Sequence, residues 1–422
     1  MQNTLQLNIS NHTEKIPFTL FLFFTSILMH QSSVMFGVNL SLADFFCLFM
    51  VVTLVIQKQF LIPISPLIFF FVISLLVLVT ASFYIPGKYF IHVRPVGIAS
   101  DYLKLVASFV YFLIGYNLSQ LNLIKQTVKW YSMFGLLVGA VGIVFTILNI
   151  GLFRDLLFFA GTRFRGLMID PNYFSVLQIT SLVYLTRSIS MNARFKFLAI
   201  IIILLSVLTS GSKTGMVTLG CYFSFRLLEY LFLTRKRLVV LISQLFLITL
   251  LALLAPLALQ FLGSLLNNIA SSIPSFGRVY SLLTDFNTAI SEGGSGREAT
   301  WIAAFKVIQL SPLIGVGVGT YTAVANELFN YNNVAHNTFL QLSAEWGIPM
   351  ALFFLSYVFF LLGKVTIQGL QASTMNLVLR DIIFILLIGS MAISLNNARM
   401  LWLFLGALVF AMGKQKIERF TQ

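Results

Sequence analysis

Residues 66–85 read PLIFFFVISLLVLVTASFYI, an unbroken apolar run without a charged side chain. A helix of about 20 such residues rises about 30 Å, enough to cross the hydrocarbon core of a bilayer. In that solvent the backbone must satisfy its own hydrogen bonds, so the run is predicted to be a transmembrane helix. Working outward in both directions, further runs of this kind are predicted near 16–30, 40–57, 100–118, 131–152, 172–186, 196–210, 214–232, 239–263, 347–363, 381–396 and 399–413. The expectation is an all-α polytopic integral membrane protein with about 12 spans.

Composition supports this class. Hydrophobic residues make up 58% of the 422 positions and charged residues only 9%, with a mean hydropathy of +0.93; soluble domains carry about a quarter charged residues. A net charge of +14 would suggest nucleic acid for a soluble chain. Here cytoplasmic loops enriched in Lys and Arg account for much of it, and no nucleic-acid partner is expected. Cys47 and Cys221 both fall in predicted spans, which indicates neither a disulfide framework nor a metal site. The first residues, MQNTLQLNISNHTEK, lack a basic n-region and a small-residue cleavage site, so the first span is expected to remain as an anchor.

The basic clusters RSISMNARFK and TRKR orient the chain, because short basic loops carry the strongest positive-inside signal. With both termini cytoplasmic, three regions follow: an N-terminal bundle of about nine spans over 1–263, a large extracytoplasmic loop with short helices over 264–346, and C-terminal spans with a short tail over 347–422. Some cations then fall on the outer face, among them Lys88, Arg94, Lys104, Arg154, Arg163, Arg165, Lys213, Arg278, Arg297, Lys306 and Arg399. The positive-inside bias gives no reason for these. A shared anionic ligand would.

Several outer cations lie in short polar motifs. In SGREATW, residues 295–301, Ser295 with Glu298 reads as a capping box opening a helix to about Leu310, with Arg297 in its first turn. Trp301, Ala304, Phe305 and Ile308 would form the apolar face of an interfacial helix, which also makes Trp301 a candidate membrane anchor. The glycines of SPLIGVGVGTY, 311–321, do not follow a strand in a βαβ unit, so they read as a tight packed turn and not a dinucleotide fingerprint. His336 precedes a helix in the long loop; its ordinary pKa suits proton transfer, though a lone histidine is more often structural. Glu345 reads either as a second base or as a solvated carboxylate. Arg163 and Arg165 flank Phe164, followed by Asp170-Pro171-Asn172, a helix start. Lys213 follows a Ser-Gly-Ser break near the membrane plane, where a cation is costly unless paired.

In order, RFRGLMIDPN, SGSKTG, SGREATWIAAFKVIQLSPLIGVGVGTY and AHNTFLQLSAEWGI resemble the bacterial O-antigen polymerase and ligase family over roughly 160–360. The resemblance implies a fold like that of the C-type glycosyltransferases and an undecaprenyl-diphosphate-linked oligosaccharide as donor, used on the periplasmic face of the bacterial inner membrane. It implies that Arg163 or Arg165, Lys213 and Arg297 engage the donor diphosphate, with His336 near the reacting centre; the acceptor hydroxyl also needs a base, for which His336 is the best candidate, with Glu345 and Asp170 behind it. Asp170, Asn172, Trp301 and Asn337 join the expected substrate-binding set. Lys213 stands where relatives more often carry Arg, giving a point charge in place of a bidentate fork.

Glycan transfer from a lipid diphosphate develops negative charge on the departing phosphate, which fixed cations shielded from water stabilise. No metal-ligand cluster stands out, so Arg and Lys are expected to serve where other enzymes use a metal ion, with no cofactor and with inversion at the anomeric carbon. The first expectation is a polymerase of O-antigen or exopolysaccharide repeat units, with an acceptor glycan, membrane lipid and a chain-length regulator or other polysaccharide-assembly proteins as partners. The alternative is a ligase that moves finished glycan to lipid A-core. A lipid-linked glycan transporter is remoter, since no internal repeat is visible and polar residues gather at one face. A purely structural subunit leaves the outer cations without a role.

Overall fold

The computed structural model describes residues 12–32, 41–188, 191–232, 260–261, 263–270, 273–284 and 297–421. The predicted span at 239–263, the TRKR cluster and the proposed cap Ser295 lie almost wholly outside these residues. The fold is helical, with one small antiparallel hairpin in which β1, Phe158–Phe159, pairs with β2, Arg163–Phe164. In chain order the helices are α1 His12–Leu28, α2 Leu42–Ile56, α3 Ile64–Tyr89, α4 Pro95–Gln120, α5 Ile124–Ile147, α6 Pro171–Arg187, α7 Ala193–Thr209 and α8 Lys213–Phe232. They continue as α9 Pro274–Thr284, α10 Arg297–Leu310, α11 Tyr321–Phe329, α12 Thr338–Trp346, α13 Ile348–Gln368, α14 Thr374–Gly389 and α15 Arg399–Thr421.

Among the described residues four helices, α3, α4, α5 and α13, are each long and apolar enough to cross a membrane, and Phe18–Leu28 and α2 are shorter apolar helices. Exposed Leu, Ile, Val and Phe side chains run along α2, α3 and α13. A surface of that kind suits lipid and would be a liability in water.

α6 is the most enclosed helix. Asp170 caps it, its Oδ1 accepting the backbone N–H groups of Asn172 and Tyr173, and Pro171 occupies the first turn. Its residues from Phe174 to Leu185 are buried without interruption, so it is wrapped on all sides, and α5, α7, α8 and α14 supply the wrapping. α4 and α15 run side by side in parallel. A Cβ added at Gly115 would lie 1.8 Å from the Leu403 carbonyl oxygen, and one at Gly406 would lie 1.9 Å from that of Phe112. Such close backbone approach is how helices associate in lipid, where hydrophobic burial supplies no drive.

Two predicted spans move toward the N-terminus by a helical turn or more at both ends. The span expected at 131–152 runs from Ile124 to Ile147, taking Lys125 and Lys129 into its first turns. The span expected at 381–396 runs from Thr374, capped by Ser373, to Gly389. Arg380, expected in a loop, lies inside α14 at 1% exposure. A buried guanidinium is tolerated only with partners. Arg380 donates to Asp381 and to Glu229 of α8, while Arg187 of α6 donates to the same two carboxylates. Hydropathy reads each charge alone and so moves the helix start past it.

Candidate functional site

The other end of α6 and α8 is where the polar motifs meet. β2 holds Arg163 beside the break between α7 and α8: its Nε donates to the Ser210 carbonyl at 3.0 Å and its Nη2 to Asn172 Oδ1 at 3.1 Å. Ser212 Oγ donates to the same Asn172 oxygen at 2.9 Å. Arg297 opens α10 and donates through Nη2 to Thr214 Oγ1 at 2.8 Å, which brings the long loop onto the start of α8 beside Lys213. Three chain segments far apart in sequence thus converge on one surface.

Electrostatics complete the grouping. Burial pulls the Arg163 guanidinium down to about 10, Arg278 and Arg297 add to this, and Asp170 opposes it. Burial also lowers Arg297, again with Asp170 opposing. Lys213 lies within reach of the charges of Arg278 and Arg297. Four cations are therefore within range of one another's charge, and among the described residues Asp170 is the carboxylate that acts on Arg163 and Arg297. Such an excess of fixed positive charge in a half-buried site is arranged for an anion.

His336 belongs to the same group. Burial lowers its pKa below the ordinary value, Asp170 pulls the other way and Arg297 adds to the lowering. The imidazole is therefore largely neutral at neutral pH and able to accept a proton. Its backbone stands at φ +47°, in the left-handed region. Asn337 caps α12, its Oδ1 accepting Phe339 and Leu340 N–H and its Nδ2 donating to the Met391 carbonyl.

The structure separates the remaining expected residues. Arg165 turns away from Arg163: its guanidinium donates to the backbone carbonyls of Asp155, Leu156 and Ile169. Asp170 is engaged as the α6 cap, and Asn172 as the acceptor for Arg163 and Ser212. Trp301 is half-buried one turn beyond Arg297, and its indole N–H has no partner among the described residues. On α10 the buried positions are Thr300, Ala303, Ala304, Val307 and Ile308, whereas Phe305, expected on the apolar face, is 54% exposed. Glu345 is buried in α12, where its carboxyl accepts from Gln341 Nε2 and where the nearby charges are Asp101 and Lys104 of α4.

The glycine run is a packed turn, as its sequence suggested. Gly315, Gly317 and Gly319 all have positive φ, and a Cβ at Gly317 would lie 2.5 Å from the Val77 carbonyl oxygen. The turn is bound to α12 by Val316 N–H to Ala344 O and Gly317 N–H to Glu345 O. Its work is to seat α12 against α3.

Sequence reasoning left Arg278 without a role beyond its place among the outer cations. It sits in α9, PSFGRVYSLLT, which no motif marks. The only available signal was its sign on the outer face.

Residues 198–355 match the family model described as O-antigen ligase, which supports the resemblance to the O-antigen ligase and polymerase family. The matched span holds Lys213, Arg278, Arg297 and His336; Arg163 and Asp170 precede it. No curated protein matches the chain.

Proposed function

We propose that this membrane protein, carrying an O-antigen ligase family match over 198–355, is a glycosyltransferase that polymerises polysaccharide repeat units. It takes glycan from undecaprenyl diphosphate and joins it to the acceptor sugar of a lipid-linked repeat at the periplasmic face. The reading rests on one observation: hydrogen bonds to the Ser210 carbonyl and to Thr214 hold Arg163 and Arg297 on either side of Lys213, with Asp170 and His336 within range of their charges.

In this reading the acceptor hydroxyl oxygen bonds to the anomeric carbon as the bond from that carbon to the phosphate oxygen breaks. The electron pair leaves on the diphosphate, where the cations stabilise it. The hydroxyl proton passes to the His336 imidazole. Direct displacement inverts the anomeric carbon. Asn172 and Ser212 hold Arg163 in place, and Thr214 holds Arg297, so the donor meets a preformed anion site.

The proposal includes a fold of about 12 spans resembling the C-type glycosyltransferases, divided at 263 and 346, with cytoplasmic termini in the bacterial inner membrane. The cluster of Arg187, Arg226, Arg380, Glu229 and Asp381 then lies at the cytoplasmic end, in keeping with a positive inner face.

The description of the matched model favours a second reading, transfer of finished glycan to lipid A-core. A strain lacking the gene distinguishes the two. Core carrying a single repeat unit, or loss of a capsule or secreted glycan with normal lipopolysaccharide, is expected for the polymerase; bare core with polymer retained on the lipid carrier identifies the ligase. Complementation with His336→Ala is expected to restore no product and with Arg297→Ala little, and normal product from both removes the proposed site.

A further inference from the structure

Gln341 lies in the first turns of α12 at 5% exposure, and both ends of its amide are engaged. Its Oε1 accepts the backbone N–H of Ala335 at 3.1 Å, and its Nε2 donates to Glu345 Oε1 one turn further along. The amide orientation follows from these partners: an N–H on one side requires oxygen there, which turns the NH₂ toward the carboxyl group. A leucine or methionine of similar size could serve neither.

Ala335 immediately precedes His336, whose left-handed backbone is one that residues with a side chain rarely adopt. Such a conformation persists only where the surroundings dictate it. On the far side of His336, Asn337 caps α12 and Thr338 N–H donates to Ser390 O. On the near side, the Gln341 amide reaches back across the turn. Glu345 is itself anchored, since its backbone carbonyl accepts Gly317 N–H at 3.0 Å. Tyr321, Asp101 and Lys104 are the titratable groups that bear on it.

We infer that Gln341, oriented by Glu345, is a positioning residue that fixes the Ala335–His336 backbone and so holds the His336 imidazole within range of the charges of Arg297 and Asp170. Glu345, expected as a base, instead acts two steps behind the histidine. The inference deepens the transferase reading and rests on His336 as its proton acceptor.

The test uses the purified full chain and does not depend on turnover. Modification of each histidine by diethyl pyrocarbonate is followed across pH by peptide mass spectrometry, with exposed His92 as the internal control. In the wild type the His336 midpoint is expected below the ordinary 6.5. In Gln341→Met it is expected to move toward 6.5, with a several-fold faster reaction, while His92 is unchanged. The exchanged pair Gln341→Glu with Glu345→Gln retains an acceptor for Ala335 and an amide-to-carboxylate bond, and is expected to restore the wild-type midpoint. A folded Gln341→Met protein with unaltered His336 behaviour overturns the inference; should that variant not be recovered, a shifted midpoint in the exchanged pair overturns it equally. In a transfer assay, Gln341→Met is expected to lower kcat on the order of 100-fold, the scale of a misplaced reacting group, with little change in the donor KM. If the midpoints behave as expected but His336→Ala still makes product, the positioning stands and the transferase role of His336 falls.

Discussion

Arg163 and Asn172 are joined by an Nη2–H to Oδ1 hydrogen bond of 3.1 Å, and the same oxygen takes a second bond from Ser212 Oγ. One amide therefore connects the hairpin, the start of α6 and the break before α8. Asn172→Ala should release Arg163 from its aim. A hydrogen bond to a charged group contributes about 1.5–3 kcal/mol, so the transfer rate is expected to fall about 10- to 100-fold. A transfer assay with lipid-linked donor measures this, and Arg165→Ala in the same assay should stay near wild type.

The four cations differ in how far they are exposed. Arg297 is partly shielded and hydrogen-bonded to Thr214, whereas Arg278 lies on an exposed position of α9. Loss of a preorganised charge facing a departing anion costs about 2.7–4 kcal/mol, and Arg297→Ala should lose about 10²- to 10³-fold in rate. Arg278 acts through screened solvent. Arg278→Ala should lose about tenfold at low ionic strength and progressively less as salt rises. Rate measured across a salt series separates the two, and equal salt dependence contradicts this ranking.

Much of this arrangement was legible in the sequence because hydropathy and charge sign are local properties. The apolar run at 66–85 is contained in α3, and the Asp-Pro-Asn start of α6 is capped by Asp170 as its residues suggest. What escaped was set by pairing at a distance. Arg380 lies in a helix because Asp381 and Glu229 neutralise it, and no window of residues around 380 contains Glu229. Arg163 and Arg165 are indistinguishable in the string RFR; backbone carbonyls take up one guanidinium, and Asn172 points the other into the site. Glu345 resembled a mouth-of-span carboxylate until packing placed it under Gln341.

As the proposed proton acceptor, His336 would give the reaction an acid limit. Burial and Arg297 lower its pKa, with Asp170 opposing, so the neutral, proton-accepting form persists below the ordinary 6.5. The transfer rate at saturating donor should therefore hold constant down to about pH 6.5 and fall as pH drops further and the imidazole becomes protonated. A pH profile locates the limb. An acid limb centred above 6.5 would contradict the assignment of His336 as the base.

The ionic cluster at the far end of α6 predicts a stability effect separable from activity. Asp381 is fully buried and takes hydrogen bonds from Arg187, Arg380 and Tyr222. Asp381→Asn leaves two buried guanidinium groups with one fewer carboxylate, and breaking such a pair typically costs about 3–5 kcal/mol. Thermal unfolding of the detergent-purified protein should show a marked drop in Tm. Transfer activity per folded molecule should be nearly unchanged, because the site lies at the opposite end of α6.

Glu345 adds a pH dependence to stability of definite sign. Burial raises its carboxyl to about 8 from an ordinary 4.5; the Gln341 hydrogen bond opposes, Asp101 adds and Lys104 opposes. Between those two values the folded chain keeps a proton that the unfolded chain has released. The folded state therefore binds more protons, and stability falls as pH rises through this window, by up to about 1.4 kcal/mol per unit. The contribution is fully present below about 4.5 and lost above about 8. Glu345→Gln removes this titration, so the difference in Tm between pH 6 and pH 8.5 should narrow in the variant, which should be the more stable protein at the higher pH. An unchanged difference would mean that the carboxyl is already ionised in the fold at pH 6.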